Sequence, residues 1–143
     1  MIKIITPTWN NVQTLIRCVE SMRDLTRDIE WRMLIVNNGS SDGTHEYLND
    51  VSARDSRISA LDLPTNLGFI GGTNAGLATV EPGEHVMLLN DDTQVTDPDW
   101  LVKLRATFDD PEVGAVGPIS NYASAWQSAS VSYQIPRLIH SAQ

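Results

Sequence analysis

The feature that most restricts the fold of this sequence is an alternation of short apolar runs with amphipathic segments. The apolar runs are bounded by Pro, Gly, Asn or Asp, which is typical of β-strands. The segments between them repeat apolar residues at helical spacing. This alternation predicts an α/β, Rossmann-like domain, with a mostly parallel sheet and helices on both faces. Strands are predicted at residues 2–6, 31–36, 57–63, 86–89 and 113–116, and helices at residues 12–22, 44–53 and 98–110, with a further helix that ends at residue 80.

The loops that follow the predicted strands are expected to meet at one edge of the sheet. Right-handed crossovers place every strand-to-helix loop at the carboxyl ends of parallel strands. Ligands of open α/β sheets bind at that edge. All of these loops are polar, and two contain glycine, so we expect a ligand site there. The four loops are residues 6–10, 37–42, 64–74 and 90–93.

The last of these loops is acidic and follows an apolar run that is predicted to lie inside the sheet. It contains Asn90, Asp91 and Asp92. Two adjacent carboxylates repel each other unless a cation or water screens them. Ions such as Mg²⁺ take few protein carboxylates and complete their coordination with water and phosphate oxygens. These three residues, here called the acidic tip, indicate one of two arrangements. They either bind a metal that carries a phosphorylated ligand, with Asp92 and then Asp91 as its ligands, or form a solvated acidic turn.

The other three loops suit a nucleotide held by polar groups. Thr8 and Asn10 are candidates for the base and ribose side, and the Asn37 amide could both donate to and accept from a base edge. Glycines allow a ligand to approach the backbone closely. The glycines of the third loop are Gly68, Gly71 and Gly72.

Several other chemistries are not supported by the sequence. The single cysteine and the three histidines lack metal-ligand spacing, and Cys18 lies in a predicted helix as a small core side chain. A serine nucleophile elbow, a Lys-Ser phosphate loop and a dinucleotide fingerprint are absent. A nucleotidyltransferase is the remaining rival, but it would need a basic residue aimed at a triphosphate. The four loops contain no Lys or Arg.

Charge and cysteine content restrict the partners and the compartment. The sequence has 10 Lys and Arg residues and 18 Asp and Glu residues. The resulting net charge of −8 argues against nucleic-acid binding. One cysteine cannot form an intrachain disulfide. The sequence shows neither a signal peptide nor an apolar run long enough for an integral membrane segment, so a cytoplasmic location is expected.

Four short motifs, in this order and at this spacing, resemble glycosyltransferase family 2, whose enzymes have the GT-A fold. The match is most similar to the rhamnosyltransferase-type branch. It covers about residues 2–118, which predicts a nucleotide-sugar-binding core at 1–118 and an irregular segment at 119–143. The motifs are IITPTWN at 4–10, IVNNGSSDGT at 35–44, NLGFIGGTNAG at 66–76 and LLNDDT at 88–93.

This resemblance implies a metal-dependent transferase, inverting by analogy. It would move a sugar from a nucleotide-diphosphate donor to an unknown acceptor, which could be a glycan, a lipid or a protein. Residues 90–92 fall on the DxD-like motif, so Asp92 would bind Mn²⁺ or Mg²⁺. The donor nucleotide would be bound by Pro7, Thr8, Trp9, Asn10, Asn37, Asn38, Ser40, Asn66, Gly68, Gly71, Asn74 and Asp91.

Three departures from the family pattern bear on this expectation. Asn37 stands where the family commonly has an Asp that contacts uracil, which leaves the base preference open. Asn90 replaces the first Asp of the metal motif. No Asp or Glu follows Glu112, so no catalytic base is identified. The alternative function is a catalytically incomplete nucleotide-sugar-binding module that needs a partner chain or a C-terminal half.

The C-terminal segment suggests a homo-oligomer. An apolar surface left without a C-terminal half would have to be covered. The aromatic residues best placed to cover it are Tyr122, Trp126 and Tyr133.

Overall fold

Strands and helices alternate along residues 1–118, the part of the chain that the computed structural model describes. Inter-residue contacts divide the chain into two compact units, Met1–Lys103 and Leu104–Gln143. A 3-10 turn, Thr107–Asp109, follows the last helix. The strands are β1 (Ile2–Thr8), β2 (Trp31–Asn37), β3 (Ile58–Asp62) and β4 (His85–Leu88), and the helices are α1 (Val12–Leu25), α2 (Thr44–Arg54), α3 (Gly68–Leu77) and α4 (Trp100–Ala106).

The four strands form one parallel sheet in the order β3-β2-β1-β4. Along the chain, β2 pairs beside β1 and β3 pairs beside β2, and β4 then pairs on the other side of β1. The strand order therefore reverses between β1 and β4. In open α/β sheets the crevice at such a reversal, outside the carboxyl ends of the strands, is where ligands bind. The predicted parallel sheet is confirmed.

Helices cover both faces of the sheet, as predicted. On one face Leu15, Val19 and Met22 of α1 pack into the larger core cluster, together with residues of α2, and all three side chains are fully buried. The smaller cluster on the opposite face contains Ile5 and Val36, with Ala75 of α3 packed against it. The sheet is therefore supported from both sides at β1 and β2.

β1 extends beyond Pro7, although proline was expected to end the strand at residue 6. The Ile5 carbonyl accepts a hydrogen bond from Leu89 N on the β4 side, and the Thr8 carbonyl accepts one from Asn38 N on the β2 side. Because alternate residues of a strand face opposite neighbours, Pro7 faces the β4 side. The β1–β4 ladder ends at the pair Ile5 and Leu88, so the missing N–H of Pro7 costs no ladder hydrogen bond.

The fourth strand was predicted to lie inside the sheet, but among the described residues it lies at the edge. Within the described chain β4 is an edge strand that pairs only with β1. Val86 and Leu88 are 40% and 53% exposed, whereas Met87 on the opposite face packs against the larger core cluster. An apolar run cannot distinguish a central strand from an edge strand, because that depends on which strands lie on either side of it.

The predicted fifth strand at residues 113–116 is also absent. This segment has no regular structure, and Val116 is 38% exposed. The run is short, Gly114 interrupts it, and Gly117 follows its last residue. Among residues 1–118 it pairs with none of the four strands, and glycine weakens a strand that has no partner. Residues 119–143, including the proposed oligomer contacts, lie outside the described residues.

Close packing of α3 on the sheet depends on Gly76. A Cβ at this position would overlap the Ile5 Cγ2 methyl and lie 3.1 Å from Val36 Cγ2. We expect Gly76→Ala to lower the free energy of unfolding by about 1–2 kcal/mol, because the steric cost exceeds the gain in helix propensity. Chemical denaturation would measure this. Gly114→Ala, where a Cβ meets no atom within 4 Å, is the control and should leave stability unchanged. Equal stability of the two variants would contradict the expected overlap.

None of the helices in the described range is both long enough and apolar enough to cross a membrane.

Candidate functional site

A cavity of about 390 Å³ opens at the carboxyl edge of the sheet. It is of the size that small-molecule sites commonly have. All four strand-to-helix loops contribute to its wall, as the topology predicted. This carboxyl-edge cavity is lined by Pro7, Thr8, Trp9, Asn11, Asn38, Asn66, Gly68, Phe69 and Asp91.

A hydrogen bond spans the point where the strand order reverses. The Thr8 hydroxyl donates to Asp91 Oδ2 at 2.7 Å, which joins the end of β1 to the acidic tip that follows β4. This contact fixes one carboxylate oxygen of Asp91. The other oxygen has no protein hydrogen bond within residues 1–118, and Asp91 lines the cavity.

Asp92, the next residue, is exposed and differs from Asp91 in its surroundings. Its carboxylate makes no hydrogen bond or ion pair with the described residues. No cluster of three or more His, Cys, Asp or Glu side chains suited to a metal occurs in the described part of the chain. A metal at this tip would therefore be held by one or two carboxylates, and its remaining ligands would be water and ligand oxygens. That donor set fits Mg²⁺ or Mn²⁺ bound with a diphosphate.

The four loops of the carboxyl edge contain carboxylates but no Lys or Arg side chain. Lys and Arg are absent from residues 4–16, 33–53 and 58–102, which together contain all four loops. Asp91 and Asp92 stand at the end of β4, and a bound diphosphate would add further negative charge. The side chains of these loops supply no opposite charge, so a divalent cation beside the carboxylates would favour the binding of a diphosphate.

Asp42 joins two of the loops. Its Oδ2 accepts a hydrogen bond from Val12 N, the first residue of α1, at 2.9 Å, and its Oδ1 accepts one from the Thr44 hydroxyl at 2.6 Å. Partial burial tends to raise its pKa, but these hydrogen bonds outweigh that effect and lower the pKa of the Asp42 carboxyl. One carboxylate thus stabilises the N-termini of both α1 and α2.

Asn10 strengthens the same connection between the first and second loops. Its Oδ1 accepts a hydrogen bond from Ser41 N at 2.7 Å, and its backbone N–H donates to Ser40 Oγ at 3.0 Å. Asn10 has a positive φ of 50°, which asparagine tolerates better than most residues. The side chain that was assigned to ligand binding therefore holds the loops together.

Asn38 connects the second loop to the third. Its Nδ2 donates to Asn66 Oδ1 and to the Gly68 carbonyl, both at 3.0 Å, and its Oδ1 accepts a hydrogen bond from Leu67 N at 2.8 Å. The side chain is almost fully buried, at 4% exposure. Asn38 therefore uses its amide to position the start of α3, while the residue also lines the cavity.

Asn37 has little freedom to meet a base edge in this arrangement. It is also 4% exposed, its Nδ2 donates to Asp62 Oδ1 at 2.6 Å, and its Oδ1 accepts from Ser40 N at 3.0 Å. His45 Nδ1 lies 3.1 Å from the same Asp62 oxygen. Burial tends to raise the pKa of Asp62, but the hydrogen bonds from Asn37 and His45 lower it. Asp62 and His45 were not predicted from the sequence.

The structure separates the predicted site residues into two groups. The predicted residues that line the cavity are Pro7, Thr8, Trp9, Asn38, Asn66, Gly68 and Asp91. Asn11 and Phe69 also line it but were not predicted, although both lie next to predicted residues in the sequence. Outside the lining are Asn10, Asn37, Ser40, Gly71 and Asn74, together with the exposed tip residue Asp92.

The single cysteine lies in the core beneath the acidic tip. Cys18 is fully buried, and its thiol is 3.7 Å from the Asn90 carbonyl oxygen. Burial, with a smaller contribution from the charges of Asp91 and Asp92, raises its pKa to about 12. The expected structural role of Cys18 is consistent with this environment.

We expect native Cys18 to resist iodoacetamide, because the reactive form is the thiolate and the thiol is both buried and protonated. Mass spectrometry at mildly alkaline pH should detect almost no adduct in the native protein and complete reaction in concentrated guanidinium chloride. Fast labelling of the folded protein would show that the tip opens readily.

Two other cavities, of about 390 and 560 Å³, include Met1 and Arg32 in their linings. These residues lie at the amino ends of the strands. That edge is opposite to the one at which the strand-to-helix loops meet, so neither cavity is the preferred candidate for the ligand site.

Comparison with known sequences identifies a family match over most of the chain. The family model described as "Glycosyl transferase family 2" matches residues 3–141. An O-antigen biosynthesis protein, RfbC, from Myxococcus xanthus is 34% identical over 118 residues, which are 81% of this chain and 9% of RfbC. An uncharacterised glycosyltransferase of Haemophilus influenzae is 27% identical over 104 residues, which are 73% of this chain and 31% of that protein.

The chain is much shorter than these relatives. It spans between 9% and 36% of the length of the curated relatives that it matches.

Solved structures show the same fold. The mannosyltransferase PcManGT from Pyrobaculum calidifontis, in complex with GDP-Man and Mn²⁺, aligns with a TM-score of 0.74 at 20% identity, over 82% of this chain and 35% of that one. S. aureus TarS residues 1–349 with UDP-GlcNAc aligns with a TM-score of 0.63 at 22% identity, over 76% of this chain and 31% of that one. The Rossmann-like GT-A fold that the sequence predicted is confirmed.

Proposed function

Since this chain belongs to glycosyl transferase family 2, we propose that its carboxyl-edge cavity binds a nucleotide-diphosphate sugar together with a divalent metal ion, as the donor site of a sugar transferase. The charge of this edge carries the proposal. Carboxylates stand beside the cavity, and Lys and Arg are absent from all four loops. A diphosphate would be repelled without a cation. PcManGT, which shares the fold, was solved with GDP-Man and Mn²⁺.

We assign the metal to Asp92, with Asp91 as the neighbouring donor contact. Asp92 is exposed and has no hydrogen-bond partner among the described residues, so its oxygens are available. Thr8 holds one oxygen of Asp91 by a hydrogen bond, the other oxygen has no hydrogen bond with the described residues, and Asp91 lines the cavity. When bound, Mn²⁺ or Mg²⁺ would neutralise the charge that develops on the leaving diphosphate. The protein would orient the donor and hold its diphosphate over the end of β4.

A second candidate is a donor-binding module that does not transfer sugar alone. The chain spans about a third or less of the length of most of the curated relatives that it matches, and no base for an acceptor hydroxyl is assigned among its residues. The rhamnosyltransferase-like branch, the inverting outcome, the cytoplasmic location and the homo-oligomer remain predictions from the sequence. The acceptor is not assigned.

Calorimetry with UDP and GDP, each with and without Mn²⁺, tests the donor site. We expect binding of at least one nucleotide that depends on the metal. If UDP and GDP fail, the other common nucleoside diphosphates are tested in the same way, and metal-dependent binding of none of them would contradict both candidates. Binding without sugar transfer or donor hydrolysis would favour the module over the complete enzyme.

A further inference from the structure

Two aromatic rings that line the cavity are largely exposed to solvent. Trp9 is 53% exposed and Phe69 is 62% exposed, and both belong to the cavity wall that also contains Asn38 and Asp91. Neither ring makes a hydrogen bond or a ring contact with residues 1–118. Large apolar side chains beside a polar cavity are typical of ligand contacts.

Phe69 lies on the side of the cavity away from the acidic tip. Hydrogen bonds between Asn38 and both Leu67 and Gly68 hold the start of α3 over the end of β2. In the order β3-β2-β1-β4 that strand is two positions from β4, or about 10 Å at a spacing of roughly 4.8 Å. Phe69 follows β3 in the first turn of α3, whereas Asp91 and Asp92 follow β4. A ligand whose diphosphate lies over β4 would extend its other end across β1 towards β2 and β3.

Near that end two buried amides are not available for reading a base by hydrogen bonds, and the charged groups beside them, Asp62 and His45, pair with each other. The amides of Asn37 and Asn38 are committed to neighbouring loops. No charged residue occurs between Leu63 and Val80, the segment that contains Phe69. An aromatic ring can stack on any base, because every base has a π-face.

We infer that Phe69 stacks on the base of the nucleotide and supplies binding energy that does not depend on which base is present. This inference rests on the proposed donor site. It assigns Phe69, in the first turn of α3, as a residue that binds the nucleoside. The diphosphate would be bound at the metal, so the two parts of the ligand would contribute separately to the affinity.

Calorimetry of the full chain with Mn²⁺ tests this, with UDP, GDP and inorganic pyrophosphate as probes. Stacking on one ring corresponds to roughly 5- to 150-fold in Kd. We expect Phe69→Ala to raise the Kd for UDP and the Kd for GDP by about 10-fold each, with similar factors for the two nucleotides. Pyrophosphate, which has no base, should bind the variant and the original protein equally. Phe69→Tyr should restore nucleotide binding.

Ile70→Ala is the matched control. Ile70 is adjacent, apolar and 75% exposed, but it does not line the cavity. Its removal should leave the affinity for every probe unchanged. Circular dichroism of all variants would confirm that the fold is retained.

The outcomes separate the inference from the proposed function. If pyrophosphate binds with Mn²⁺ but Phe69→Ala leaves the nucleotide affinities unchanged, or weakens pyrophosphate equally, the stacking role is wrong while the metal site stands. A change in the ratio of UDP to GDP affinity would show instead that Phe69 discriminates between bases. Failure of all three probes to bind the original protein would overturn the proposed function and this inference with it.

Discussion

Replacing Asp92 with alanine is expected to abolish Mn²⁺-dependent binding of nucleoside diphosphates. Substitutions of residues that only orient metal ligands commonly cost 10–100-fold in affinity, so loss of the ligand itself should cost at least about 100-fold. The melting temperature should be unchanged or slightly higher, because Asp92 is exposed, makes no hydrogen bond with the described residues and adjoins the like-charged Asp91. Calorimetry and thermal denaturation measure the two effects.

Asp99→Ala is the control for the loss of one negative charge. Asp99 is exposed and lies outside the cavity lining. This variant should bind nucleotide and metal as the original protein does. A large fall in the melting temperature of Asp92→Ala, with nucleotide binding intact, would instead make Asp92 a structural residue.

The substitution with the largest expected effect on stability is Gly39→Ala. Gly39 has φ +73°, and a Cβ there would lie 2.8 Å from the Thr65 carbonyl carbon and 2.9 Å from Asn66 N. Both are backbone atoms and cannot rotate away. Left-handed strain and steric overlap should together lower the free energy of unfolding by about 2–5 kcal/mol. Displacement of Asn66, which lines the cavity, should also weaken nucleotide binding.

Gly43→Ala separates the two contributions. Gly43 has φ +91°, but a Cβ there meets no atom within 4 Å. It should cost only about 1–2 kcal/mol, from backbone strain alone. Denaturation curves of the two variants would give the difference. If both variants lose the same stability, the contact between Gly39 and the third loop does not restrict the fold.

The general arrangement of the site follows from the sequence because it depends on topology. Apolar runs that alternate with helical periodicity require a parallel sheet, and right-handed crossovers then bring Thr8, Asn38 and Asp91 to one edge. Motif order alone therefore placed residues that are more than 80 positions apart around one cavity.

The features that the sequence did not predict depend on the orientation of individual side chains and on which strands lie next to each other. Asn37 faces Asp62 across a register pair of β2 and β3, and this pairing, rather than the residue type, determines how its amide is used. The exposed face of β4 depends on which strands flank it. Phe69 lies between Gly68 and Gly71, where the spacing of apolar residues along the sequence does not show which way its ring points.

The hydrogen bonds between loops have a consequence for how the site opens. Asp42 and Asn10 cross-link the first loop to the second, and Asn38 cross-links the second to the third. These three loops should exchange their amide hydrogens as one cooperative unit, since opening any of them breaks several bonds of about 1 kcal/mol each. The acidic tip is joined to them by the bond between Thr8 and Asp91. Ligand-induced adjustment would therefore concentrate at the tip, and the nucleoside side would serve as the fixed template.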